Sequence, residues 1–334
     1  MSRRFLAAVL TVVAVLALAA TVGQAQQSQP RASRWVQPKT AWGEPDLQGI
    51  WNNVTGTPLQ RSEAHKDKRA LTDQEAAEFE RQGAERREAA EALPVAQQSE
   101  GARTGYSPKV WFETGYDLSE NRTSLLVDPE NGRLPPLTTM AQKMSDMQAQ
   151  LRRASPADTP EDRGPYERCI TRGLPGAMMP GFYNHNYHIF QTPGLVVISV
   201  EMIHDARIIP TDGRPPLPSA IKQWMGDSRG RWEGNTLVVE TTNLRDVDGR
   251  NVAVWGTTEG GKIIERFTRL GPDRMDYQFT VDDPAWYTKS WTASIPMSKV
   301  KGPLYEYACH EGNYGLPNIL AGHRKEEMEA AAKR

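Results

Sequence analysis

The chain has 334 residues, with 40 basic and 41 acidic side chains and a formal net charge of −1. That balance offers no basic footprint for nucleic acid and no polybasic patch for anionic lipid. The length is ample for a sizeable core and accommodates one large β domain or two small ones.

The first segment reads as an export signal. Arg3 and Arg4 form a short positive region, Phe5 to Val22 is almost wholly apolar, and Gly23-Gln24-Ala25 places small residues around a cut after Ala25. An uncleaved anchor is the alternative. The Ala-rich run, the small residues after it and the polar stretch from Gln26 to Ser33 argue against it. Removing residues 1–25 takes away two Arg and no acid, so the charge moves from −1 to −3. No other segment is apolar enough to span a membrane. The expected location is therefore periplasmic or secreted, with no nucleic-acid partner. Cys169 and Cys309 can form one disulfide in such a compartment. Two buried free thiols are the alternative, and a zinc site is disfavoured because neither lies in a C-x-x-C pair.

Residues 26–110 are expected to form an extended arm with a surface helix. Residues 26–70 are rich in Pro, Gln and charge, and Trp35, Trp42 and Trp51 would anchor them. Leu71 to Leu93 is predicted helical, opened by a Thr72/Glu75 capping box and stopped by Pro94. Its few apolar positions mark a solvated helix. Residues 95–110 read as a polar loop. Residues 111–324 are expected to be an antiparallel β-barrel domain with a covering helix and loop. The helix spans Thr138 to Arg153, with Met140, Met144, Met147 and Leu151 as a core-facing stripe. Residues 154–182 form a Pro/Gly-rich covering loop that holds Cys169.

From Asn184 onward, short β-branched and aromatic runs alternate with turns. The predicted strands are Tyr187–Thr192, Leu195–Ile209, Gly230–Trp232 leading to Thr236–Thr242, Lys262–Leu270, Met275–Val281, Thr288–Pro296 and Leu304–His310. Such spacing argues for an antiparallel barrel or sandwich, and without helices between strands a parallel sheet is excluded. Residues 325–334 read as a charged tail.

Trp232-Glu-Gly-Asn-Thr-Leu-Val-Val-Glu240 and Ile263-Ile-Glu-Arg-Phe267 resemble hairpins of lipocalin-like barrels. That resemblance covers roughly residues 184–310 and implies strands closed around one small ligand. A second resemblance extends over most of the mature chain. Pro45-Asp-Leu-Gln-Gly-Ile-Trp51, Asn121-Arg-Thr-Ser124, Glu201-Met-Ile-His-Asp-Ala-Arg-Ile-Ile-Pro210, Gly226-Asp-Ser-Arg-Gly230 and Tyr307-Ala-Cys-His-Glu-Gly-Asn-Tyr314 are similar to an uncharacterised family of secreted bacterial proteins. That family brings no reaction with it. The fold expected is thus mainly β: an antiparallel lipocalin-like barrel with an N-terminal extended arm and two peripheral helices.

Two clusters carry the candidate chemistry. Glu201, His204, Asp205 and Arg207 form the first, and His310, Glu311, Asn313 and Tyr314 the second. Strand alternation would put Asp205 and Arg207 on one face and His204 on an apolar one. His204 and His310 would exchange protons, with Asp205 or Glu311 orienting an imidazole. Arg207 would hold a substrate anion, unless it is a structural ion-pair partner of Asp205. Asp227 and Arg229 in a Gly-bounded turn pose the same choice. With Trp224, Asn313 and Tyr314 they complete the expected ligand contacts. No cofactor is expected. A metal on His185, His188, His204 and His310 lacks a spacing signature. There is no G-x-S-x-G elbow, phosphate loop or dinucleotide fingerprint, and Ser228 lacks a strand-to-helix context.

These residues point to an exported small-molecule barrel protein. One reading is a cofactor-independent lyase, isomerase or hydratase acting on an apolar or aromatic compound by His acid–base chemistry. The others are a non-catalytic lipocalin-like binding protein for a hydrophobic ligand, and a structural envelope protein whose arm docks a partner.

Overall fold

A computed structural model describes residues 35–92, 118–181, 183–245 and 260–333. The segment expected to be an export signal and the loop expected over 95–110 lie outside the described residues. The chain divides into Met1–Val36 and Gln37–Arg334, and the fold is that of the second unit.

Ten antiparallel strands form one sheet. In chain order they are β1 (Gly49–Asn52), β2 (Leu126–Asp128), β3 (Asn186–Thr192), β4 (Leu195–Val200), β5 (Ala206–Pro210), β6 (Asp227–Glu233), β7 (Thr236–Thr242), β8 (Lys262–Arg269), β9 (Arg274–Asp282) and β10 (Trp291–Val300). Among the described residues three α-helices accompany them: α1 (Asp73–Ala92), α2 (Thr139–Ala154) and α3 (Gly315–Ala332). The strand order is β5-β4-β3-β1-β10-β9-β8-β7-β6, with β2 paired to β10. The two end strands share no hydrogen-bonded ladder, so the expected closed barrel is here a curled sheet, open by hydrogen bonding. Its ends still meet through side chains. A Cβ on Gly230 of β6 would lie 2.9 Å from Cγ2 of both Ile209 and Thr211, a contact only glycine permits.

The period-two pattern that predicts strands also selects the buried face. In β8 and β9, Ile263, Glu265, Phe267, Met275, Tyr277, Phe279 and Val281 are all fully buried. Aromatic side chains dominate that face. Phe267 and Tyr277 are register partners with ring centroids 4.8 Å apart. Phe279 meets Trp291 edge-on at 5.5 Å. Each such pair contributes about 0.5–1.5 kcal/mol beyond its area.

One charged group sits among these rings. Arg207 Nη1 donates to Glu265 Oε1 at 2.8 Å, Nη2 donates to Oε2, and the Tyr277 hydroxyl donates to Oε1 at 2.8 Å. The side chains of Arg207 and Glu265 are 1% and 0% exposed. Burial and the adjacent Glu265 charge push the Tyr277 hydroxyl well above its ordinary pKa, so it stays a donor. Arg207 is therefore neither an anion clamp nor Asp205's partner, because its fork is filled by a carboxylate from β8.

Several elements depart from the expectations. β1 lies between β3 and β10, so the arm supplies a central strand, and Trp51 within it is 0% exposed while Trp42 is 38%. The run from Leu195 to Ile209 breaks into β4 and β5 at a 3-10 turn over Met202–His204. No strand forms over Leu304–His310. The stripe on α2 is core only at Met144, which is half-buried against the main cluster; Met140, Met147 and Leu151 are 66%, 55% and 40% exposed, while Ala141 and Gln148 are buried. The helix turns a different face inward because Thr138 caps it, accepting from Ala141 N while donating to the Ala285 carbonyl. The expected tail belongs to α3, whose His323 Nε2 lies 2.9 Å from Asp158 Oδ1.

Breaking a buried pair strands one charge, at a cost of about 3–5 kcal/mol. Glu265→Ala is expected to lower unfolding free energy by that amount in urea titration, and Tyr277→Phe by about 1.5–3 kcal/mol. Wild-type stability in Glu265→Ala would mean that the pair does not brace the fold.

Candidate functional site

Four segments converge beside the turn between β4 and β5. They are the covering loop around 166–181, the entry to β3 at 183–187, the turn over 201–205, and the segment over 307–313. Cys169 and Cys309 are joined by a disulfide that closes 140 positions of chain, as an oxidising compartment permits. Asn313 Nδ2 donates to the Glu167 carbonyl at 3.4 Å, which holds the same segment to the loop. We refer to this convergence as the crown.

The crown is backbone-strained. Cys169, Asn184, Ile203 and His204 have φ of 56°, 55°, 65° and 51°, in the left-handed region that L-residues avoid. Ile203 is the costliest, since its branched Cβ meets its own carbonyl there. Residues held this way cost about 1–3 kcal/mol each and cluster at functional sites.

The two histidine clusters do meet, through one contact. His204 is exposed, and its Nδ1–H donates to the Tyr307 carbonyl at 2.8 Å. A carbonyl only accepts, so the proton sits on Nδ1 and Nε2 is left free. Burial raises the Asp205 carboxyl pKa, against the hydrogen bond it accepts from Thr171 Oγ1 at 2.8 Å. His310 and Glu311 are exposed on the surface, and Tyr314 is 75% exposed.

The remaining expected ligand contacts are structural. Arg229 Nη1 pairs with Asp227 Oδ1 at 2.5 Å, and Arg229 Nε donates to the Pro215 carbonyl at 3.0 Å. Asp227 Oδ2 accepts from Leu217 N at 2.8 Å. The pair thus pins the loop before β6. Ser228 Oγ lies 2.8 Å from Thr241 Oγ1 in the adjacent strand. Trp224 is half-buried under the Arg245 guanidinium at 4.7 Å. His185, His188, His204 and His310 do not gather into one ligand set. Among the described residues, the group able to hold a metal is Asp158, His323 and Glu327.

Arg172 and Tyr166, which sequence reasoning passed over, and His185, which it considered only as a metal ligand, give the crown its polarity. Arg172 is half-buried with its guanidinium 5.5 Å over the Tyr166 ring, and among the described residues it has no acid partner and no hydrogen-bond acceptor. His185 is 1% exposed with neither ring nitrogen at good hydrogen-bond geometry. Burial, with Arg172 beside it, holds its pKa at about 4. Tyr166 Oη lies 3.5 Å from Tyr183 Oη, and burial pushes the Tyr166 hydroxyl up to about 12. Tyr307 stacks on Tyr183 at 6.3 Å, and burial raises its hydroxyl as well. At neutral pH the crown therefore offers one fixed cation, protonated phenols, a neutral buried imidazole and one exposed imidazole nitrogen. A usable signal was present: Arg172 and Tyr166 both lie in the long Pro/Gly-rich loop, where binding residues concentrate.

No family model and no curated protein sequence matches this chain. Among solved structures, a secretary abundant heat soluble (SAHS) protein from Ramazzottius varieornatus is similar at 15% identity over 41% of this chain and 87% of that chain, with a TM-score of 0.24. A likeness of that size carries no argument about function. Among the described residues no helix is long and apolar enough to cross a membrane.

Two outcomes follow from this geometry. Replacing Cys169 and Cys309 together by Ser is expected to cost about 2–5 kcal/mol and to speed proteolysis within residues 301–314. Unchanged stability and cleavage would show that the staple constrains nothing. His185 has a folded pKa near 4 against 6.5 in the unfolded chain, so the unfolded state binds more protons between those values. Stability is then full above pH 6.5 and falls by up to about 3 kcal/mol toward pH 4. The loss between pH 7 and pH 5 should shrink in His185→Asn; an equal loss in both proteins would place its cause elsewhere.

Proposed function

We propose that the protein is a binding protein that takes a small molecule with an anionic group on an apolar or aromatic body, at the crown. The observation that carries this reading is Arg172. A guanidinium partly stripped of water and left without a partner is costly, and a ligand carboxylate or phosphate restores its bidentate hydrogen bonds. The Tyr166 ring beneath it offers a stacking surface. Tyr166 and Tyr307, kept protonated by burial, add hydroxyl donors. The interior of the sheet is not where such a ligand would sit, because Trp51, Tyr187, Phe267, Tyr277, Phe279 and Trp291 fill it. Export by the residue 1–25 signal accords with the disulfide.

Acid–base catalysis is the second reading. Asp205, with its raised carboxyl, next to the exposed imidazole of His204 favours it. In that case His204→Gln would abolish turnover and leave ligand affinity within a few fold.

Native mass spectrometry of the exported protein separates these outcomes. The wild type is expected to retain a small organic acid. Arg172→Gln is expected to lose it while melting at the wild-type temperature. A retained mass that survives Arg172→Gln, or a wild type that carries only a transition metal, overturns the reading.

A further inference from the structure

A second region is built for an anion, on the outer face of the sheet and away from the crown. A cavity of about 320 Å³ opens there against β9 and β10. Arg69, Arg122 and Arg274 line it, facing only two carboxylates, Glu120 and Asp276.

Both carboxylates are already engaged. Glu120 pairs with Arg274 and lies 3.9 Å from Arg122. Asp276 Oδ1 accepts from Ser294 Oγ at 2.8 Å, and its Oδ2 accepts from Gln278 Nε2 at 2.7 Å. Arg69 is exposed and has no ion pair among the described residues. Its place is set by its carbonyl, which accepts from Thr123 N at 3.1 Å. The Arg122 side chain is only 12% exposed, and its Nη2 donates to the Ser294 carbonyl at 3.0 Å. Burial draws its pKa down, and the neighbouring Arg69 and Arg274 act in the same direction.

The backbone spends strain to build this arrangement. Glu120 and Asn121 are consecutive non-glycine residues with φ of 54° and 56°. The turn they form sends Glu120 and Arg122 to the same cavity, and Asn121 is fixed by donating to Asp73 Oδ1 at 2.7 Å. Val127, Met275 and Pro296 supply an apolar wall on the other side.

We infer that this cleft binds a dianionic oxyanion, a phosphate monoester with a small apolar body, held by the Arg69, Arg122 and Arg274 guanidiniums. Planar forks match phosphate oxygens two at a time. The apolar wall receives the ester group. Nothing at the crown is needed for this site, so the two stand or fall separately.

The test is titration of the full mature protein with phenyl phosphate, followed by the Arg Nε–H resonances and by calorimetry. Saturable binding is expected, weakened about ten- to a hundredfold in Arg69→Gln with the melting temperature unchanged. Arg122→Gln should weaken it further, and Arg69→Gln keeps the test sound if that variant unfolds. Affinity should rise as pH passes about 6, where the ester takes its second negative charge. The Nε–H resonances of Arg69, Arg122 and Arg274 should shift with the same midpoint in Arg172→Gln as in the wild type, which assigns the binding to the cleft whatever the crown takes up. Absence of saturable binding, equal affinity for uncharged benzyl alcohol, or wild-type affinity in both Arg69→Gln and Arg122→Gln would overturn the proposal.

Discussion

The contact between Arg207, Glu265 and Tyr277 sets the terms for the rest of the molecule. Arg207 lies on an end strand and Glu265 on β8, far from it in strand order. The sheet must curl for the two to meet, and a one-residue slip of either strand would turn its charge outward. A core of Trp, Tyr and Phe would accept several registers of similar energy. A bidentate pair with no water around it accepts one. The pair therefore specifies more than it stabilises, since an apolar replacement of similar shape could match it in energy.

Placing β5 also places the crown. The turn over Met202–His204 is the direct entry to β5, so His204 and Asp205 inherit their position from the strand that Arg207 anchors. The disulfide then brings the segment over 307–313 to that turn, and the strained residues at 169, 184, 203 and 204 sit where these segments join. Strain of this kind persists only where the surroundings over-determine it. The crown has such surroundings: a braced strand on one side and a covalent link on the other. Two more strained residues, Glu120 and Asn121, border the arginine cleft. Six of the seven non-glycine residues with positive φ among those described thus belong to two polar sites. The seventh, Asn243, donates to the Leu217 carbonyl at 3.0 Å and helps hold a loop.

The period-two runs were legible without coordinates, because burial on one sheet face imposes alternation on the chain itself. So was α1 with its capping box; the sequence allowed the Cys169–Cys309 link or two free thiols, and the fold joins them. The misplaced elements share a cause. Leu304–His310 has strand-like residues and no strand to pair with, and β1 has only four residues in a polar arm yet fills a gap between β3 and β10. Strand status there depends on a partner, which local composition does not encode. The stripe on α2 has the spacing of a buried face, but its cap and the surface beneath it select another.

For the site, residue types were readable and partnerships were not. Glu265 falls in phase with Ile263 and Phe267, so the alternation alone marks it as a charge on an apolar face. It cannot name Arg207, which lies 58 positions earlier. Asp205 was the nearer choice for that arginine, and proximity in sequence proved a poor guide because Asp205 lies in the turn before β5 and accepts from Thr171, while Arg207 lies within the strand and points to the buried face. His204 and the 307–314 segment were singled out from their composition, and folding joins them by one hydrogen bond to a backbone carbonyl. The sequence by itself determined the alternation, the capping box of α1 and which side chains can carry charge, all properties of neighbours along the chain. Only the tertiary structure decided which charges meet, which stay unpaired beside Tyr166 and in the outer cleft, and which face each helix hides, because those depend on what the curled sheet brings within a few ångströms.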